Sequence, residues 1–241
     1  MNDILLYFVD KFKNNTQDIF KSMKIFKKDI EKEIIKTKEL YTLNKIEFID
    51  FYDSNFPISF TKIENPILGF FAKGNIKLLN ELNKIYFVSE EENDNYWNDN
   101  IEKITKNCTL VTNYFLSEKE LVKKFKNKGG KIIYIWKSGL DFIANKKISE
   151  NELYVSLYPI KQHAKIQHFK QSNYFAAALS DQLIIFSAKK NSKVDHLVSC
   201  FLNLGKEISC FPGKNLFNYN NELIKSGARL ITYISESISW K

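Results

Sequence analysis

The sequence predicts an α/β protein in which a small all-helical head precedes a Rossmann-like domain with a mostly parallel sheet. Three observations predict it. The first 44 residues contain neither glycine nor proline and space their apolar side chains at helical intervals. From about residue 45, short β-rich runs alternate with amphipathic segments. A length of 241 residues accommodates one large α/β domain and a small accessory one, with enough chain to bury a sizeable core.

Ile4, Leu5, Phe8, Val9 and Phe12 form one helical run, and Ile19, Phe20, Met23, Phe26, Ile30 and Ile34 form a second. Asn14, Asn15 and Thr16 separate the runs and can cap the second helix. Between Asp29 and Lys38 lysines alternate with acids, as on a solvated helix face. These features place a head domain over residues 1–44 and the sheet domain over residues 45–241.

Within the sheet domain, strands are expected at 85–88, 109–112, 132–136, 154–157, 183–186 and 208–211. Helical segments at 118–128, 174–179 and 194–204 lie between them. Strands separated by helices imply crossover connections, hence parallel pairing with both sheet faces covered. The Gly129-Gly130 pair most simply ends the lysine-rich helix before it.

A chain 44% hydrophobic and 27% charged folds rather than staying disordered. Its formal charge of +8 and pI near 9.1 favour an anionic partner. The Lys-, Asn-, Ile-, Phe- and Tyr-rich composition is also what AT-rich codon usage produces, so charge alone does not define a patch. Arg229 is the sole arginine, and lysine offers phosphate a point charge instead of a planar fork. Cys108, Cys200 and Cys210 form no CxxC pair, and with His163, His168 and His196 they make no zinc pattern. The amino terminus lacks a basic n-region, and no apolar run approaches the roughly 20 residues that span a bilayer. A reduced, cytoplasmic protein with no membrane association and no metal is expected.

In a nucleotide-binding Rossmann domain the first strand enters a glycine-rich turn that lets pyrophosphate approach a helix amino terminus. Here the strand at 85–88 enters Ser89-Glu90-Glu91-Glu92-Asn93-Asp94, whose carboxylates repel phosphate. No dinucleotide cofactor is expected, and neither GxxxxGK[ST] nor GxSxG occurs. Glu90, Glu91 and Glu92 are better read as a surface loop than as acid/base catalysts, so no enzyme activity and no catalytic residue are expected.

Several segments resemble the DprA/Smf family of DNA-processing proteins. Asp53-Ser54-Asn55-Phe56-Pro57, Ile63-Glu64-Asn65-Pro66, Phe70-Phe71-Ala72-Lys73-Gly74-Asn75 and Leu78-Leu79 resemble the family's entry to its Rossmann domain. Gly129 to Tyr134, then Gly139-Leu140-Asp141, is similar to its "GGKTIAVL…GLD", and Tyr154 to Pro159 to its "liSEYP". The segment from Phe169 to Asp181 resembles "FPxRNRIIAGLSD", Phe211-Pro212-Gly213 resembles "VPG", and Asn221 to Ala228 resembles "N-x-LI-x-x-GA". The likeness spans roughly residues 45 to 235. It departs where the family binds anions. "VGxR" is absent after Val88, "SGxAxGID" is replaced by Asn113-Tyr114-Phe115-Leu116-Ser117-Glu118, and Ser172 and Tyr174 replace both arginines of "RNR". The family's "EAxxxSG" keeps only Ala188 and Ser192.

The resemblance implies a homodimer that binds single-stranded DNA, protects incoming DNA during transformation and helps load a RecA-type recombinase. It implies DNA contacts at Phe169, Lys170 and Asn173, with Gln171, Tyr174, Lys190, Ser192 and Lys214 as further candidate contacts. Lys189, Lys190, Lys193 and Lys214 are either solvated loop lysines or, on neighbouring strand ends, a groove that tracks the backbone. Phe169 is either a stacking platform or a core aromatic, and Tyr174 either a substitute stacker or packing. Two other functions stay open. One is a scaffold that has lost DNA binding and works through protein contacts. The other is a nucleotide hydrolase of the related phosphoribohydrolase type, against which stands the absence of "PGGxGTxxE": Phe211-Pro212-Gly213-Lys214-Asn215 lacks its second glycine and its glutamate.

Overall fold

The structure is a computed structural model that describes residues 2–25, 30–62, 66–90 and 95–238. In chain order the elements are α1 (Asp3–Lys11), α2 (Thr16–Lys24), α3 (Glu31–Leu43), β1 (Glu47–Asp50), β2 (Gly69–Gly74), β3 (Lys84–Ser89), α4 (Asn95–Asn107), β4 (Thr109–Thr112) and α5 (Lys119–Asn127). They continue with β5 (Lys131–Trp136), β6 (Glu152–Ser156), α6 (Ile166–Leu179), β7 (Gln182–Ser187), α7 (Val194–Asn203), β8 (Glu207–Cys210), α8 (Tyr219–Lys225) and β9 (Arg229–Leu230). The chain forms two compact units, Met1–Leu79 with Trp136–Phe169, and Asn80–Ile135 with Lys170–Lys241. The segment up to residue 44 thus shares a unit with β1, β2 and β6.

In the first unit β2 pairs antiparallel with both β1 and β6. The second helical run of the sequence is two helices, α2 and α3, because the chain leaves the helix at Ile25. Asn15 caps α2 by accepting from the amides of Gln17 and Asp18, while Phe20 and Met23 face outward and Phe26 lies outside the described residues. Tyr41 ties helices to strands. Its hydroxyl donates to Asp10 Oδ1 at 2.5 Å and accepts from the Ile160 amide at 3.2 Å, and its ring stacks on Phe71 at 4.9 Å. Burial raises the Asp10 carboxyl above its ordinary value, while the Tyr41 hydrogen bond opposes that shift.

The Lys73-Gly74-Asn75 motif is a structural joint in this unit. Gly74 has φ +118°, and a Cβ there would collide with the Glu152 carbonyl oxygen. That oxygen accepts the Asn75 amide at 3.0 Å, Asn75 Nδ2 donates to Glu150 O at 2.7 Å, and Lys73 Nζ donates to Asn44 O at 2.6 Å. Residues 63–65 of the neighbouring motif lie outside the described residues.

In the second unit six strands run parallel in the order β5-β4-β3-β7-β8-β9. Five of the six strands expected from the sequence lie here, whereas the one expected at 154–157 is β6 of the first unit, paired antiparallel with β2 and not parallel as expected. The inner four residues of β3 and of β5 are buried, as a doubly covered parallel sheet requires. The expected glycine stop after α5 holds: Gly129 has φ +78°, its amide donates to Lys126 O at 2.9 Å, and the Gly130 amide donates to Phe125 O at 3.1 Å. Asp181 pins the start of β3, accepting from the Lys84 amide at 2.8 Å while its own amide donates to Lys84 O at 2.6 Å.

Asn220, which the sequence reading did not single out, staples the carboxyl ends of β7 and β8. Its Nδ2 donates to Phe186 O and Phe211 O, both at 2.9 Å, and its Oδ1 accepts from the Ala188 amide at 2.9 Å. The side chain is buried, so alanine would leave these backbone groups without water or partner. Asn220→Ala should therefore lower unfolding stability by roughly 3 kcal/mol, read from the urea midpoint. A shift equal to that of an exposed-asparagine control would mean that the staple contributes nothing.

Candidate nucleic-acid interface

In the second unit, β3 and β7 are neighbours from which the strand order runs outward in both directions. Open parallel sheets bind ligands at such a switch point, outside the carboxyl ends of the strands. A crevice lies there, lined by Val88, Glu90, Phe115, Glu118, Asn173 and Lys193 among others. Its volume of about 40 Å³ has room for water but not for a nucleotide.

Glu118 forms one wall. Tyr86 OH donates to its Oε1 and Thr112 Oγ1 to its Oε2, each at 2.5 Å. Burial, and then the negative charge of Glu118, holds the Tyr86 hydroxyl well above its ordinary pKa. Asn173 forms the wall opposite in sequence, from α6. It is buried, accepts Asn113 Nδ2 on its Oδ1 at 2.7 Å, and places its own Nδ2 3.0 Å from His196 Nδ1. With Oδ1 fixed as the acceptor, Nδ2 donates to His196, whose ring proton then lies on Nε2. Tyr174 meets the His196 ring edge-on at 5.5 Å.

At the rim, the Glu90 amide donates to Ser187 O at 3.0 Å, and Glu90 Oε2 accepts the Lys189 amide at 2.8 Å. Glu91 and Glu92 lie outside the described residues. Lys193 Nζ stands 5.1 Å from the centroid of the Phe115 ring. Lys190 is exposed and pairs with Glu222 at 3.0 Å, and Ser192 Oγ accepts the Val194 amide at 3.2 Å just ahead of α7. Lys170, Gln171 and Lys214 are exposed. The thiols of Cys200 and Cys210 are pushed up to about 12 by burial and that of Cys108 is raised too, so all three stay protonated near neutrality.

Phe169 belongs to the first unit. Its ring is 37% exposed, with Lys137 Nζ 5.7 Å from the centroid, so it is a surface aromatic and not a core one. The neighbouring His168 is buried, donates from Nδ1 to Lys137 O at 2.8 Å and stacks on Tyr158. Of the candidate contacts, Asn173 lines the crevice with its amide turned inward, Tyr174 packs on His196, and Lys190 and Ser192 lie in the loop after β7. Sequence reasoning missed Asn113, Glu118 and Phe115. Their signal was position, since a segment just past a parallel strand borders the ligand edge.

Residues 129–240 match the family model described as DNA recombination-mediator protein A. The carboxyl-terminal part of the chain is thus similar to the DprA family. The Streptococcus pneumoniae DprA structure superposes with a TM-score of 0.69 at 18% identity, covering 98% of this chain and 87% of that one. The structure of DNA processing protein A from Helicobacter pylori, described for its unique single-stranded DNA binding mode, gives 0.66 at 21% identity, covering 80% and 93%. No curated protein sequence matches the chain. For a DprA-like fold, then, the edge where the family's "VGxR" and "SGxAxGID" would stand is here bordered by Glu90, Phe115 and Glu118.

Burial, then the nearby Lys170 charge, lowers the His196 pKa, and burial lowers that of His168. The folded chain therefore binds these protons more weakly than the unfolded chain does. The stability they contribute is complete above about pH 6.5 and is lost as pH falls through that value towards the folded pKa values. Imidazole NMR resonances of both residues should titrate below pH 6.5, the free-histidine value. A His196 resonance titrating above it would overturn the Asn173–His196 assignment.

Proposed function

We propose that this DprA-like chain binds single-stranded DNA without sequence preference and acts as a recombination mediator, passing the strand to a RecA-type recombinase during DNA uptake, as a homodimer. The observation that carries the reading is the Phe115 ring with Lys193 Nζ 5.1 Å away, at the mouth of a crevice on the carboxyl edge of a parallel sheet. A ring beside a cation supplies both halves of single-strand recognition, stacking for the base and charge for the phosphate. Lys170, Gln171, Tyr174, Lys190, Ser192 and Lys214 are the further contacts proposed in the second unit, and Phe169 is the stacking platform proposed in the first. Asn173 supports the wall from within. With Arg229 already paired to Glu207 at 2.8 Å, phosphate contact falls to lysine and should be strongly salt-dependent.

One observation favours a second reading. The carboxylates of Glu90 and Glu118 occupy donors at the strand ends, as expected of a scaffold that has lost DNA binding and works through protein contacts.

Fluorescence anisotropy with labelled oligo-dT separates the two. The first reading expects affinity that decays steeply from low to moderate salt, with Lys193→Ala weakening binding and flattening the log–log salt slope by about 1. Flat titrations at low salt, alongside capture of a RecA-type recombinase, would establish the scaffold instead.

A further inference from the structure

The loop between β8 and α8, residues 211–218, holds two apolar side chains away from the protein. Leu216 is 81% exposed and Phe217 92% exposed. Loose surface loops carry such residues without consequence, but this one is held by a lattice of asparagines. Asn215 Oδ1 accepts the Phe217 amide at 3.1 Å, and Asn215 O accepts both the Asn218 amide at 3.1 Å and Asn221 Nδ2 at 2.7 Å. Asn221 Oδ1 accepts the Gly213 amide at 3.0 Å, and Asn218 Oδ1 accepts that of Asn220 at 3.0 Å. The backbone under Phe217 is thus fixed from both sides while the ring stays in water, the cost of holding it there already met within the folded state.

The loop follows the carboxyl end of a parallel strand, on the edge that carries the crevice. Tyr219 OH donates to Asp195, and Lys190 pairs with Glu222, joining this region to the start of α7 beside Lys193. Asp195 is hydrogen-bonded by Tyr219 and Glu222 is paired with Lys190, while Lys189 and Lys214 are exposed on the loops flanking this region. Two apolar side chains are too few for the centre of a stable protein interface, which takes on the order of 800 Å² per partner. One ring is enough for one base.

We propose that Phe217 is a base-stacking residue for single-stranded nucleic acid, lengthening the strand's path beyond the crevice along the carboxyl edge of β8, with Lys214 supplying adjacent charge to the backbone. This rests on the single-strand reading above. Stacking tolerates any base and adds no ionic contact, so it changes affinity without changing salt dependence.

The experiment compares the full chain with Phe217→Ala and Phe217→Trp, using labelled oligo-dT and an abasic phosphodiester oligomer of equal length. Phe217→Ala should bind oligo-dT roughly five-fold more weakly or worse, keep the salt slope, and match the parent on the abasic oligomer. Phe217→Trp should restore affinity, with its fluorescence quenched on binding. If the parent binds oligo-dT and Phe217→Ala binds equally well, the stacking role is wrong while the single-strand reading stands. If the parent binds no DNA, both fall together. If Phe217→Ala leaves DNA affinity intact but alters sedimentation, the ring contacts protein, which also overturns the proposal. Thermal unfolding of the variants should match the parent, because so exposed a ring contributes little packing.

Discussion

The carboxyl ends of six parallel strands impose the constraint on which the second unit depends: where strand pairing stops, buried peptide groups still need partners. In many doubly wound proteins a bound anion takes some of these donors, reached through glycine turns. Here side chains take them. Asn220 closes the ends of β7 and β8, Glu90 takes the Lys189 amide, and Asn113, Asn173 and His196 form a continuous chain from the end of β4 to α7. Among the described residues these side chains fill much of the space at the strand ends, which accounts for so small a crevice.

That closure also shows how a fold of this kind stands without the anion-binding motifs that the resemblance leads one to expect. Removing an arginine or glycine from such an edge leaves donors exposed to an apolar surround unless something replaces the anion. Carboxylates are the direct substitute, and Glu90 and Glu118 stand where the departures from the family pattern fall. Cationic side chains are displaced outward as a result, to Lys189, Lys190, Lys193 and Lys214. Recognition by lysine at a rim differs from recognition by arginine in a pocket: it is longer-ranged, less directional and more easily screened by salt.

The fold was more legible than the site. Parallel strands buried on both faces read as continuous apolar runs, so 85–88, 132–136 and 183–186 were visible from composition alone. The antiparallel strands β1 and β2 were not proposed, because β1 has only four residues and β2 lies inside a motif that reads as a loop of Lys, Gly and Asn. The head reads as two helices in sequence and holds three among its described residues, since the chain leaves the helix at Ile25, with no proline or glycine to mark the break. At the site, Phe169 could be placed by resemblance but not by exposure, as a phenylalanine in a helix has the same sequence signature whether it faces core or solvent.

Asn173 shows the deeper limit. It is the retained member of a motif otherwise changed, and retention alone suggests a ligand contact. Its amide, however, is consumed by Asn113 and His196, with both partners held by elements distant in sequence. An asparagine bridging three elements in this way fixes the spacing between the loop after β4, α6 and the start of α7. That spacing determines how far Phe115 stands from Lys193. Asn173 therefore bears on recognition through geometry: shifting it would move the ring relative to the cation without removing either, and would change the strand's fit while leaving the charge of the edge untouched.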